Sequence, residues 1–156
     1  MNFPYSTLQI QISKSGIKPL ENKNFTGGVF NNDNYKIYVL KDKDAFVYVG
    51  KTKQAIGTKL RQGFYSFQQN ENNNRQGHYG GYKWIKKYMD KTLRLFVFDL
   101  GNGFDNTKTE AVEAELVYLI RKTTGKWPLG QNEIHFYNHF EKAKEKARHI
   151  FNSIMG

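Results

Sequence analysis

The strongest constraint on the fold is a pair of strand-like segments, 35–40 and 45–50, rich in β-branched and aromatic residues and joined around Asp42-Lys43-Asp44. Such segments flanking a polar turn read as a β-hairpin. With that tripeptide as the loop, Leu40 faces Phe46, Val39 faces Val47 and Tyr38 faces Tyr48. Side chains alternate along a strand, so Ile37, Val39, Val47 and Val49 are expected on one sheet face, and both tyrosines on the other.

Further elements follow from periodicity. Leu95 and Val97 alternate with Phe96 and Phe98, giving a third strand over 93–100 closed by the Gly101-Asn102-Gly103 turn. Val112, Leu116, Leu119 and Ile120 recur at helical spacing, giving a helix over 108–123 with Thr107 or Thr109 as its cap and Gly125 as its end. Shorter helices are expected at 56–66, 80–89 and 140–154. Leu8, Ile10 and Ile12 suggest an edge strand over 7–12, while 21–34 and the Asn/Gln-rich stretch 70–77 read as loops. The expected fold class is α/β (α+β): a small, mainly antiparallel three-stranded central sheet flanked by helices.

At 156 residues the chain suits one domain. It divides into an N-terminal extension (1–33), a core (34–137) and a C-terminal helix packed on that core (138–156). The absence of cysteine excludes disulfides, thiolate metal sites and cysteine nucleophiles. With neither a signal-peptide pattern nor a membrane-length apolar run, the expectation is a cytoplasmic protein with no membrane association. The formal net charge is +10, which suits a polyanionic partner, because each phosphate neutralised releases condensed counterions.

The segments Lys36-Ile37-Tyr38-Val39-Leu40 and Val47-Tyr48-Val49-Gly50, followed by Arg61, Glu115 and Asn132, resemble the GIY-YIG nuclease family. Lysine 36 stands where that family usually has glycine. The family's helical arginine, with a tyrosine or histidine one turn later, corresponds to Arg61 and Tyr65. Lys59-Leu60 is a competing alignment, set aside because it would put Gly63 one turn on and replace a guanidinium fork by an ammonium. The family's metal-binding glutamate, with bulky apolar residues at the third and fourth positions after it, corresponds to Glu115 with Tyr118 and Leu119. On a helical wheel Glu113 and Glu115 flank the apolar stripe from opposite sides, and only the resemblance favours Glu115. Glu110 is expected to face solvent.

The resemblance implies a metal-dependent DNA endonuclease, restriction-type or standalone, acting on double-stranded DNA with Mg²⁺ or Mn²⁺. Its catalytic set is Tyr38, Tyr48, Arg61, Glu115 and Asn132, with Glu115 as metal ligand and Tyr65, His78 and Lys59 as auxiliaries. The residue types suit the reaction. One carboxylate plus a phosphate oxygen is enough protein ligation for Mg²⁺, and a phenol of pKa about 10 becomes a base only beside a cation or metal. Lys51 and the helical Lys83, Lys86 and Lys87 are candidate backbone contacts. Cutting both strands requires two active sites, by homodimerisation, for which the C-terminal helix is a candidate surface, or by sequential nicking. The alternative is a non-catalytic nucleic-acid-binding module on the same scaffold.

Other patterns carry less. Gly50-Lys51-Thr52 ends like a phosphate-binding loop but has Ala45 where that motif needs glycine. His135 and His139 have a helical metal spacing without a convincing third ligand. Each tyrosine, arginine and asparagine of the set also has an ordinary structural reading as a packing, solvated or turn residue.

Overall fold

The computed structural model describes residues 3–21, 24–73, 83–128 and 141–156. Among the described residues five strands run: β1 (Tyr5–Ser13), β2 (Gly16–Pro19), β3 (Lys36–Asp42), β4 (Ala45–Thr52) and β5 (Thr92–Asp99). They form one sheet in the order β2-β1-β5-β3-β4, antiparallel throughout. The expected three-stranded sheet is therefore the β5-β3-β4 part of a larger one. Segment 7–12 belongs to β1, which is an internal strand: β5 pairs along one side of it and β2 along the other. The N-terminal residues thus add two strands to the sheet, whose edges among the described residues are β2 and β4.

The β3–β4 hairpin forms, in a different register. Tyr38 pairs with Gly50, Val39 with Val49 and Leu40 with Tyr48, after which the ladder shifts to Lys41–Phe46 and Asp42–Ala45. The turn is tighter than the tripeptide suggested, with Lys43 at φ 54°, and Val47 is the extra residue of a bulge. The bulge puts Val47 and Tyr48 into the same core, so Val47 leaves the face assigned to it, whereas Ile37, Val39 and Val49 keep theirs. The paired register differs from the expected one by an even number of residues. Tyr38 and Tyr48 therefore still share a face, with ring centroids 6.0 Å apart.

Helices cover both faces. On one lie α1 (Gly28–Asn31), α2 (Ile56–Asn73) and α3 (Lys83–Lys87), with Leu60, Phe64, Trp84 and Ile85 packed against Tyr38, Leu40, Leu95 and Val97. On the other lie α4 (Asn106–Thr124) and α5 (Ala143–Met155), with Val112, Leu116, Ile120 and Ile150 packed against Ile37, Val39, Val49 and Phe98. Helix α2 extends well beyond residue 66 and takes in 70–73 of the expected loop; the rest of that loop, residues 80–82 and Leu129-Gly130 of the Trp127-Pro128 turn lie outside the described residues. Helix α1 interrupts the expected loop 21–34.

Asp105, not a threonine, caps α4: its carboxylate accepts from the Lys108 N–H at 2.8 Å, and Gly125 ends the helix at φ 79°. The apolar face of α5 is used inside the chain, through Ala147, Ile150, Phe151 and Ile154, and the Phe151 ring stacks on Phe46 of β4 at 6.0 Å. That face is therefore not a free dimer surface. Among the described residues no helix is long and apolar enough to cross a membrane.

Candidate active site

Tyr38 projects from the middle of the sheet towards α2 and is only 4% exposed. Its cross-strand partner is Gly50, and this pairing explains the glycine. A Cβ on residue 50 would lie 2.5 Å from both Cζ and Oη of Tyr38, so the phenol end of the ring occupies the space a side chain would take. A small cavity of about 120 Å³ opens beside the ring, lined by Lys59, Gln62 and Ser66 of α2 and Trp84 of α3. At about 30 Å³ per water, it has room for a few waters. Tyr48 is also buried, at 7% exposure.

Helix α2 decides which cation reaches this cleft. Its buried stripe is Ile56, Leu60 and Phe64, at successive helical turns. Lys59 and Gly63 flank the stripe on one side and border the Tyr38 cleft. Arg61 and Tyr65 flank it on the other side and border a different cavity. The residue that shares the cleft with Tyr38 is thus Lys59, and the preference for Arg61 drawn from motif spacing does not match this geometry. The Ile56–Leu60–Phe64 stripe was the available signal.

Helix α4 brings its carboxylates to the β4 edge. Glu113 is buried, at 8% exposure, and its Oε2 has no hydrogen-bond partner among the described residues. Burial pushes this carboxyl up to about 7. The Lys51 ammonium pulls it down, the Glu110 carboxylate pushes it up, and the Lys59 ammonium pulls it down again. Glu110 does not face solvent as expected. It pairs with Lys51 at 3.5 Å and accepts from Asn106 Nδ2 at 3.0 Å, while Lys51 Nζ donates to Asn106 Oδ1 at 2.9 Å. Lys51 is accordingly engaged at the site. Glu115 is half-buried on α4, and among the described residues no hydrogen bond or ion pair ties it to Tyr38, Lys59 or Lys51. The carboxylate gathered with the lysines is Glu113.

Lys36 fixes how α2 enters this arrangement. It is fully buried, and its Nζ donates to the carbonyls of Asn32 at 2.6 Å, Asn34 at 2.9 Å and Gln54 at 3.2 Å. Burial lowers its pKa, against the opposing pull of Asp99 and Asp33. The ammonium ties the turn before β3 to the loop that leads into α2. Lysine in place of the first motif's glycine therefore has a structural use of its own.

No known protein family, curated protein or solved structure matches this chain. Its chemistry rests on the arrangement alone: a buried tyrosine, a lysine in its cleft, and a buried carboxylate on which that same lysine acts. Trp84, Ile85 and Tyr88 are core residues, while Lys83, Lys86 and Lys87 are exposed, Lys86 lying 3.7 Å from Glu71. Asn132, His78, His135 and His139 lie outside the described residues.

Proposed function

We propose that the protein is a metal-dependent endonuclease that hydrolyses phosphodiester bonds in DNA, as its resemblance to the GIY-YIG nucleases implies, with Tyr38, Lys59 and Glu113 at the centre. One observation carries the reading: the unpartnered Oε2 of a buried carboxylate flanked by lysines. Burying such a group without a partner costs about 1–3 kcal/mol or more, a cost a binding site has reason to bear. Glu113, with Glu110 close enough to raise its pKa, fits Mg²⁺ or Mn²⁺, which needs few protein oxygens. When bound, the ion supplies Lewis acidity and a more acidic water.

The chain's own groups provide the rest. The Lys59 ammonium offsets charge that develops on the phosphoryl oxygens. It also lines the cleft beside the Tyr38 ring, which makes the Tyr38 hydroxyl the candidate to orient the attacking water. Lys51 holds Glu110 in place beside Glu113. Attack by water forms the new P–O bond as the bond to the leaving ester oxygen breaks; the proton the water loses passes to solvent, and the leaving oxygen takes one from solvent.

The near-complete burial of Tyr38 favours a second reading, a nucleic-acid-binding module without catalysis. Plasmid nicking separates the two. Wild-type protein should nick supercoiled DNA with Mg²⁺ and stop with EDTA. Glu113→Gln should lose at least about a hundredfold in rate, the scale of removing one preorganised transition-state contact, while Glu115→Gln should stay within a few-fold. Salt-sensitive binding with no cleavage of any DNA or RNA would establish the binding module instead.

A further inference from the structure

The other flank of α2 borders a cavity of about 560 Å³, set against the turn of the β1–β2 hairpin and the segment before α1. Its size falls within the range of about 300–1,000 Å³ usual for small-ligand sites. Among the described residues two cations line it, Lys18 and Arg61, together with the rings of Phe25 and Tyr65 and the amides of Asn24, Asn31 and Gln68. No carboxylate is among its described lining residues. The Phe25 ring lies flush against α2 because residue 57 is glycine: a Cβ there would stand 3.2 Å from Phe25 Cδ2. Tyr65 is 62% exposed, a large ring left open to solvent at the cavity mouth.

This cavity and the Tyr38 cleft both border α2. A shallow depression lined by Thr58, Arg61, Gln62, Tyr65 and Ser66 lies between them. It shares Thr58, Arg61 and Tyr65 with the larger cavity, and Gln62 and Ser66 with the cleft.

We propose that the larger cavity binds one unpaired nucleotide of a nucleic-acid strand. Arg61 takes the phosphate, Tyr65 stacks on the base, and the amides of Asn24 and Gln68 meet the base edge. A guanidinium, an exposed ring and paired donor–acceptor groups are the complements of those three parts of a nucleotide. A base inside a duplex presents no free face to Tyr65, so the site selects single-stranded or frayed ends. That the strand continues into the Tyr38 cleft rests on the hydrolase reading above; occupancy of the cavity does not.

Fluorescence anisotropy of a labelled oligothymidylate in EDTA tests this without catalysis. Wild-type protein should bind it, and Arg61→Met and Tyr65→Ala should each weaken binding about tenfold, as loss of one stacking or phosphate contact does. A blunt duplex should change less than about twofold, since base stacking contributes nothing to it. Both residues are exposed, so the variants should melt as wild type does. Absence of oligothymidylate binding, unchanged affinity in the variants, or equal weakening for single strand and duplex would each overturn the proposal. A wild-type protein that cuts no DNA yet shows the expected losses sinks the hydrolase reading and supports the cavity; active cleavage with unchanged oligonucleotide affinity does the reverse.

Discussion

At the scale of single residues, Glu113 couples stability to pH with a definite sign. Its carboxyl titrates near 4.5 when the chain is unfolded and at about 7 when folded, so the folded state binds this proton more tightly. Below the unfolded value the group costs the fold nothing. As pH rises through the window from 4.5 to about 7 a penalty grows, and above it the penalty is constant. Its size is on the order of 3 kcal/mol. Glu113→Gln should therefore match wild type in urea denaturation below pH 4.5 and be more stable at pH 8 by up to that amount. Addition of Mg²⁺ at pH 8 should narrow the gap, because a bound cation stabilises the ionised carboxylate. Equal stability of the two proteins at both pH values would show that the carboxylate is not confined as described.

At the scale of elements, the central strands and α4 were legible in the sequence because each carries its own period. Alternation in Leu95–Phe98 and the helical recurrence of Val112, Leu116 and Ile120 need no knowledge of neighbours. The register of β3 on β4 was not legible. A polar tripeptide does not disclose a turn with Lys43 in the left-handed region, nor a bulge that absorbs Val47. The inward place of β1 was hidden for a similar reason, since pairing order is set by tertiary contacts. The far half of α2 was hidden by amide-rich composition. Glu113 and Glu115 were equivalent on the wheel of their own helix, and burial together with Lys51 of β4 and Lys59 of α2 distinguishes them. Junctions between elements are therefore where the sequence was least readable, and Lys36 occupies such a junction. Lys36→Met keeps the side chain's length but strands the carbonyls of Asn32, Asn34 and Gln54. The variant should lose about 2–4 kcal/mol of stability by denaturation. The proposed phosphodiesterase activity should fall with it as α2 shifts; a variant with wild-type stability would show that the lysine is no tether.

At the scale of the whole molecule, a net charge of +10 becomes informative only when it is located. Part of it is structural: Lys36 is spent on backbone carbonyls and Lys51 on Glu110. The exposed lysines of α3 are different. Trp84 and Ile85 anchor that short helix in the core and line the Tyr38 cleft, so Lys83, Lys86 and Lys87 are carried on a rigid support at the cleft's border. If that face lies on duplex phosphates, each lysine contributes about 0.9 to the slope of log affinity against log salt concentration. Replacing all three by glutamine should flatten the slope for duplex DNA by about 2–3 at full engagement. Lys86 must first leave Glu71, 3.7 Å away, and that exchange lowers its share. Titrations across a range of salt, in the presence of EDTA, measure the slope directly. A slope that does not move would make α3 a solvated face and would shift the electrostatic footprint to the Lys18–Arg61 side of α2.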